Sequence, residues 1–206
     1  MRAILISDHA KWCALMMSGD KKVEVRKGTA LYKAIQKLID ENGYADIYVY
    51  CTKKEELFYD LVCGKSFYIN LPKRNKNKVY RLSNGMVVFK FRCYKVEELS
   101  IKYGVGWQTK TIKGKEQVEK LTQLSVFQLF EYCGRKTSTA IHISDLEIFD
   151  KPKELSEFRI CCKRKFCNCF EIKCANCSHL VYEDENLCDK RLTKAPQSWC
   201  YVEIGE

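Results

Sequence analysis

The chain has 206 residues, 46% of them hydrophobic, enough to bury the core of a single domain. It contains no run of about 18 apolar residues, which excludes a helical membrane span, and the apolar stretch at residues 3–6 is too short for a signal-peptide core. Its net charge of +10 is unevenly spread, which points toward a polyanionic partner more than simple solubility would.

Residues 3–6 (AILI) predict a short strand. Residues 8–18 place Trp12, Leu15 and Met16 at helical spacing, with Ser7 or Asp8 as the N-cap and Gly19 as the stop. A second strand at residues 21–27 completes a β-α-β opening. Its alternation puts Val23 and Val25 on one face and Lys22, Glu24 and Arg26 on the other. A glutamate flanked by cations in this way is either a solvated, salt-bridged stripe or the floor of an anion-binding cleft. Thr29 and Gly43 bracket a second helix with Leu31, Ala34, Ile35 and Leu38 on one face. Residues 46–51 form a strand, and Thr52-Lys53-Lys54-Glu55 has the form of a capping box opening a short helix to about residue 62.

Charge then becomes uneven. Residues 61–96 hold Lys65, Lys73, Arg74, Lys76, Lys78, Arg81, Lys90, Arg92 and Lys95 and no acid, nine of the ten net positive charges. The segment reads as strands: residues 67–71, a basic loop, residues 79–82, a turn at Ser83-Asn84-Gly85, and residues 86–96. In the last of these Val87, Phe89, Phe91 and Cys93 face the core, and Lys90, Arg92 and Tyr94 face outward. Cations on the backbone with aromatics under the bases is how single-stranded nucleic acid is commonly held. Lys73, Arg74, Lys76, Lys78 and Arg81 are the candidate phosphate contacts, with Tyr80 and Tyr94 the candidate stacking residues; Phe89 and Phe91 belong to the apolar face.

Residues 95–114, polar and glycine-containing, read as a long loop. Residues 125–133 form a helix stopped at Gly134, residues 139–148 a strand, Lys151-Pro152 a turn, 154–158 a helical turn and 199–204 a closing strand. Short strands with few helices between them predict an α+β fold, a small mixed β-barrel with flanking helices. The whole chain, 1–206, is expected to be one domain, with a Cys-rich insert at 159–190.

Thirteen cysteines, an odd number, suit a reducing compartment, so the protein is expected to be cytoplasmic. The insert holds Cys161, Cys162, Cys167, Cys169, Cys174, Cys177 and Cys188. The Cys-x-x-Cys pair Cys174 and Cys177 is spaced to bind one tetrahedral metal, with Cys188 and one upstream cysteine, here Cys162, completing a structural zinc site. Buried free thiols, disulfides and an iron–sulfur cluster are the other readings of the same residues.

Three stretches together resemble the ASCH domain of the PUA-like superfamily, in the form found in phages and Gram-positive bacteria. Gly19, Lys21, Glu24 and Arg26 match its Gly-x-Lys-x-x-Glu-x-Arg motif, residues 142–158 (HISDLEIFDKPKELSEF) its penultimate strand and Lys-Pro turn, and residues 195–203 (APQSWCYVE) its closing strand. The resemblance implies a PUA-like barrel whose cleft is lined by Lys21, Glu24 and Arg26 and which binds nucleic acid, RNA first. It also implies two rivals at the same cleft, a nucleoside amidohydrolase and a ribonuclease. The amidohydrolase branch uses the motif lysine with a threonine three residues on, and here Glu24 stands at that position, which leans the reading toward binding. His142 with Lys21 is a conceivable acid–base pair, but a satisfied structural histidine is the simpler expectation. A protein-interaction role for the Cys-rich lobe is the third class.

Overall fold

The computed structural model describes residues 2–53, 67–70, 79–82, 84–104, 106–160 and 191–204. The strands are β1 (Arg2–Asp8), β2 (Val23–Lys27), β3 (Ala45–Cys51), β4 (Phe67–Asn70), β5 (Val79–Leu82), β6 (Val87–Cys93), β7 (Val96–Lys102), β8 (Gly106–Gln108), β9 (Ser138–His142), β10 (Ser144–Lys153), β11 (Phe158–Ile160) and β12 (Trp199–Ile204). The helices are α1 (Ala10–Ser18), α2 (Ala30–Asn42), α3 (Lys115–Thr122) and α4 (Val126–Cys133). Six strands in the order β10-β6-β3-β1-β12-β11 curl into a half-barrel, four in the order β2-β9-β7-β8 form a second sheet, and β4 and β5 pair as a hairpin. The fold is therefore α+β and barrel-like, as the pattern of short strands predicts. Among the described residues no helix is long and apolar enough to cross a membrane.

The run AILI makes β1 the inner strand of the large sheet, buried on both faces. Ile4 and Ile6 pack with α1, α2, β3 and β6, while Ala3 and Leu5 pack on the other face with Tyr48, Phe158 and Val202. β1 and β3 run parallel, as strands joined by a long helical crossover can. The helix face expected for α2, Leu31, Ala34, Ile35 and Leu38, is its buried face. Val96 of β7 and Ile141 of β9 join the core of the large sheet, whereas Val23, Val25, Leu99 and Ala140 face α3 and α4. The smaller sheet thus stands with one face toward the interior and the other under two helices.

Several local expectations are corrected. Asp8 does not cap α1: it ends β1, and the N-cap residue, His9, makes no side-chain cap bond. Val87 does not share a face with Phe89, because the pairing of β3 with β6 slips from Val49↔Phe89 to Tyr50↔Val87. The extra residue is Val88, a β-bulge that turns Val87 to the outer cluster and Val88 to the inner one. The loop expected over 95–114 contains β7 and β8. Its polar residues misled because Glu97 points into a ring of donors, so the strand hides a charge on one side. α3 was likewise not foreseen, and Ser125 with Gln128 forms a capping box that opens α4. The strand expected over 139–148 is two strands, β9 and β10, and β10 runs through Lys151-Pro152 to Lys153. Proline is tolerated there because β10 is the edge of its sheet.

Candidate functional site

The alternation of β2 decides where its charges go. Glu24 lies opposite Ile141 and Arg26 opposite Thr139 on β9. Ile141 belongs to the interior core, so Glu24 and Arg26 point between the two sheets, not to solvent. The end of β1 meets them from the other sheet. Arg26 donates from Nη1 to the Ser7 carbonyl oxygen at 2.8 Å and brings Nη2 to 3.1 Å from Asp8 Oδ2. Its Nε lies 2.8 Å from Glu24 Oε1. Glu24 Oε2 lies 3.3 Å from Lys21 Nζ, which donates to the Thr122 carbonyl at 2.8 Å and stands 4.6 Å above the Trp12 ring centre. The result is one continuous chain of charge, Asp8, Arg26, Glu24 and Lys21, two of each sign. Lys21 is 2% exposed and Arg26 7% exposed.

This cluster ties three parts of the fold together. Arg26 links β2 to the end of β1, and Lys21 links β2 to the end of α3. Ser7 in turn donates from Oγ to the Pro196 carbonyl at 2.7 Å and from its amide to Ser198 at 3.1 Å, holding the segment that leads into β12. The pairing is ionic more than directional: Asp8 Oδ2, Arg26 Nε and Arg26 Nη2 are buried and make no aligned hydrogen bond to a described residue.

Burial, and then the charge of Glu24, push the Asp8 carboxyl up to about 7, against the pull of Arg26 and Lys21. Burial also opposes the charge on Glu24, but Lys21 and Arg26 outweigh it and hold that carboxyl below its ordinary value. For Arg26 the two carboxylates outweigh burial and raise its affinity for its proton. Asp8 is thus the member of the cluster that changes charge near neutrality. Tyr132 of α4, 43% exposed, stands close enough to feel Arg26, Glu24 and Asp8, and burial raises its phenol.

His142 is not part of this group. Its Nε2 lies 2.8 Å from Glu97 Oε2, and Glu97 also accepts from Thr109 Oγ1, from the Thr111 amide and hydroxyl, and pairs with Lys95 at 3.3 Å. Burial works against the Glu97 charge, but the bonds from Thr111, His142, Thr109 and Lys95 win and hold its carboxyl at about 2. This is the satisfied structural histidine that the sequence suggests. A separate open groove of about 540 Å³ lies between β7, β8, α3 and α4, lined by Ile101, Trp107, Phe127 and Phe130 among others, and no member of the charge cluster lines it.

Of the sequence-derived site residues, Lys21, Glu24 and Arg26 are brought together. Tyr80 and Arg81 lie in β5 opposite Ile69 and Tyr68. Lys73, Arg74, Lys76 and Lys78, and the helix expected over 52–62, fall outside the described residues except for its first two positions. So do Cys162, Cys174, Cys177 and Cys188, together with Cys161, Cys167 and Cys169. Among the described residues no group of three or more His, Cys, Asp or Glu is placed to hold a metal ion. Asp8, Trp12 and Thr122 were missed. Asp8 offered a weak signal, a lone acid closing an apolar strand, which equally suits a helix cap. Thr122 offered none, because it contributes only its backbone carbonyl. No protein-family model matches the chain, and no curated protein matches it.

Proposed function

We propose that the protein is a nucleic-acid-binding module, with single-stranded RNA its first candidate, built on an ASCH-like, PUA-like barrel. The observation that carries this reading is the acid-free run over residues 61–96: Lys90, Arg92 and Lys95, in and after β6, are ion-paired, and the six cations before β6, from Lys65 to Arg81, carry the charge. Phosphate contacts from such a run supply affinity by releasing counterions. Lys73, Arg74, Lys76, Lys78 and Arg81 are its phosphate contacts, and Tyr80 stacks. Lys21, Glu24 and Arg26 serve the reading differently from direct contacts. Their charges are matched internally, so they tie β2 to the end of β1 between the two sheets, and Arg26 positions rather than grips.

The Cys-rich segment completes the reading, with Cys162, Cys174, Cys177 and Cys188 holding a structural zinc. The test is binding of a labelled RNA oligonucleotide across a salt series, with Lys73, Arg74, Lys76 and Lys78 replaced together. A large loss of affinity and a shallower salt dependence support the reading; unchanged binding removes it.

One observation favours a second reading, a hydrolase acting on a modified nucleoside or on RNA at the same cleft. The buried Asp8 carboxyl, 3.1 Å from Arg26, is raised by burial to about 7, the range in which general acids and bases work. Turnover of an acetylated cytidine that is lost in both Asp8→Asn and Lys21→Met would establish it, and no turnover would leave Asp8 a structural proton carrier.

A further inference from the structure

We infer that Tyr44, Arg92 and Tyr94 form a stacking platform for unpaired bases of single-stranded RNA, at the opposite end of the large sheet from the Asp8–Lys21 cluster. This rests on the nucleic-acid reading and adds to it a second, base-binding subsite. β3 pairs with β1 at Cys51↔Asp8 and with β6 at Asp46↔Arg92, so the two sites are separated along β3. At roughly 3.3 Å per residue that separation is about 17 Å, the reach of a few nucleotides.

The platform is exposed but fixed. The Arg92 guanidinium lies 4.6 Å over the Tyr44 ring, and the Tyr44 and Tyr94 ring centres are 6.1 Å apart at a tilt of 56°. Tyr94 is 46% exposed and the Arg92 side chain 45%. Tyr94 is held at its tip by a hydrogen bond, and Arg92 by an ion pair without an aligned hydrogen bond. Tyr94 donates its hydroxyl to Asp145 Oδ2 at 2.6 Å, and Arg92 Nε lies 3.6 Å from Asp46 Oδ1. Asp145 holds that position in a left-handed backbone conformation, φ +43°, which aspartate adopts more readily than most side chains. Flat side chains pinned in this way have already lost the rotational freedom that binding would otherwise take from them.

Local charge decides what the surface takes. Lys90 and Arg92 are balanced by Asp46, Asp145 and Glu147, with Lys90 paired to Glu147 at 3.0 Å. Lys95 is committed to Glu97. With three acids and two cations, the patch is not a phosphate site. Rings and a guanidinium plane stack on bases whatever their sequence, and the carboxylates accept from exocyclic amino groups. Arg92 and Tyr94 also belong to the acid-free run, so the cations preceding them engage phosphates while the platform takes bases.

Fluorescence anisotropy with a short uridine oligonucleotide, an adenosine oligonucleotide and an RNA duplex tests this. Tyr94→Ala is expected to weaken both single strands about 5- to 150-fold, the range for loss of one stacked base, with an unchanged slope of affinity against salt and little change for duplex. Tyr94→Phe, which keeps the ring, should remain within about threefold of the parent. A urea midpoint measured alongside separates binding from folding, and Tyr94→Leu serves if the alanine variant is unstable. Parent-like binding by Tyr94→Ala, or equal losses for duplex and single strand, overturns the platform and leaves the nucleic-acid reading standing. A parent protein that binds neither strand overturns both.

Discussion

Replacing Arg26 with Met tests the inter-sheet cluster most sharply. Methionine fills similar volume but leaves Asp8 and Glu24 in the interior without the guanidinium that lies 3.1 and 2.8 Å from them. Removing one partner of a buried ion pair typically costs about 3–5 kcal/mol, and here a hydrogen bond to Ser7 is lost as well. Part of the cost is relieved by protonation. Arg26 holds the Asp8 carboxyl down, so in the variant that carboxyl titrates above its present value of about 7. Below pH 7 Asp8 carries its proton in both proteins and the difference in stability is flat. Above pH 7 the parent releases the proton and the variant keeps it, so the variant loses further ground by up to about 1.4 kcal/mol per pH unit. Urea unfolding followed by tryptophan fluorescence at pH 6 and pH 8 should therefore show a deficit of about 3–5 kcal/mol at pH 8 and about 1 kcal/mol less at pH 6. A deficit under about 1 kcal/mol at both values would refute the cluster as a tie between sheets. A deficit that is large but the same at both would refute the assignment of the proton to Asp8.

Other expectations follow from the same groups. The folded-state value of Asp8 lies above its ordinary 3.8, so its contribution is present below that value and is lost as pH rises through about 7. The stability of Asp8→Asn relative to the parent should therefore climb between pH 4 and pH 7, and a flat difference would contradict it. Glu97 behaves oppositely. Its carboxyl is held at about 2, so its contribution is present above the ordinary value of 4.5 and is lost as pH falls through about 2. Glu97→Gln should destabilise by on the order of 1–3 kcal/mol at pH 7 and by less at pH 3, as read by thermal unfolding. Metal analysis of protein purified without chelator should give about one zinc per chain, lost in the Cys174→Ser, Cys177→Ser double variant. A zinc-free protein equally resistant to protease over 160–190 would end the zinc reading.

The elements most legible in the sequence were those whose burial is one-sided or total. The four apolar positions of α2 fall as the periodicity places them, and the closing strand lies at Trp199–Ile204 as expected. β7 was not legible, because alternation is read from apolar residues and its hidden positions include Glu97, which only a ring of distant donors can bury. The bulge at Val88 was illegible for a related reason: three apolar residues in a row, Val87, Val88 and Phe89, suit either face until the partner strand sets the register. For the site, the spacing of Lys21, Glu24 and Arg26 was enough to group them. Whether that face met solvent depended on β1 crossing over it from the other sheet, and no spacing within β2 carries that information. Asp8, separated from Arg26 by a helix and a turn, is the residue that contact alone reveals.

The most direct measurement is the affinity of the protein for a single-stranded RNA oligonucleotide between about 50 and 200 mM salt, for the parent and for the Lys73, Arg74, Lys76 and Lys78 quadruple alanine variant. Neutralising several phosphates predicts a linear fall of log affinity with log salt, and a slope shallower by about 0.7 for each phosphate contact removed, or roughly 3 in the variant. A parent whose binding does not change over that range, or a variant with the parent's slope, would contradict a phosphate-binding role for residues 61–96.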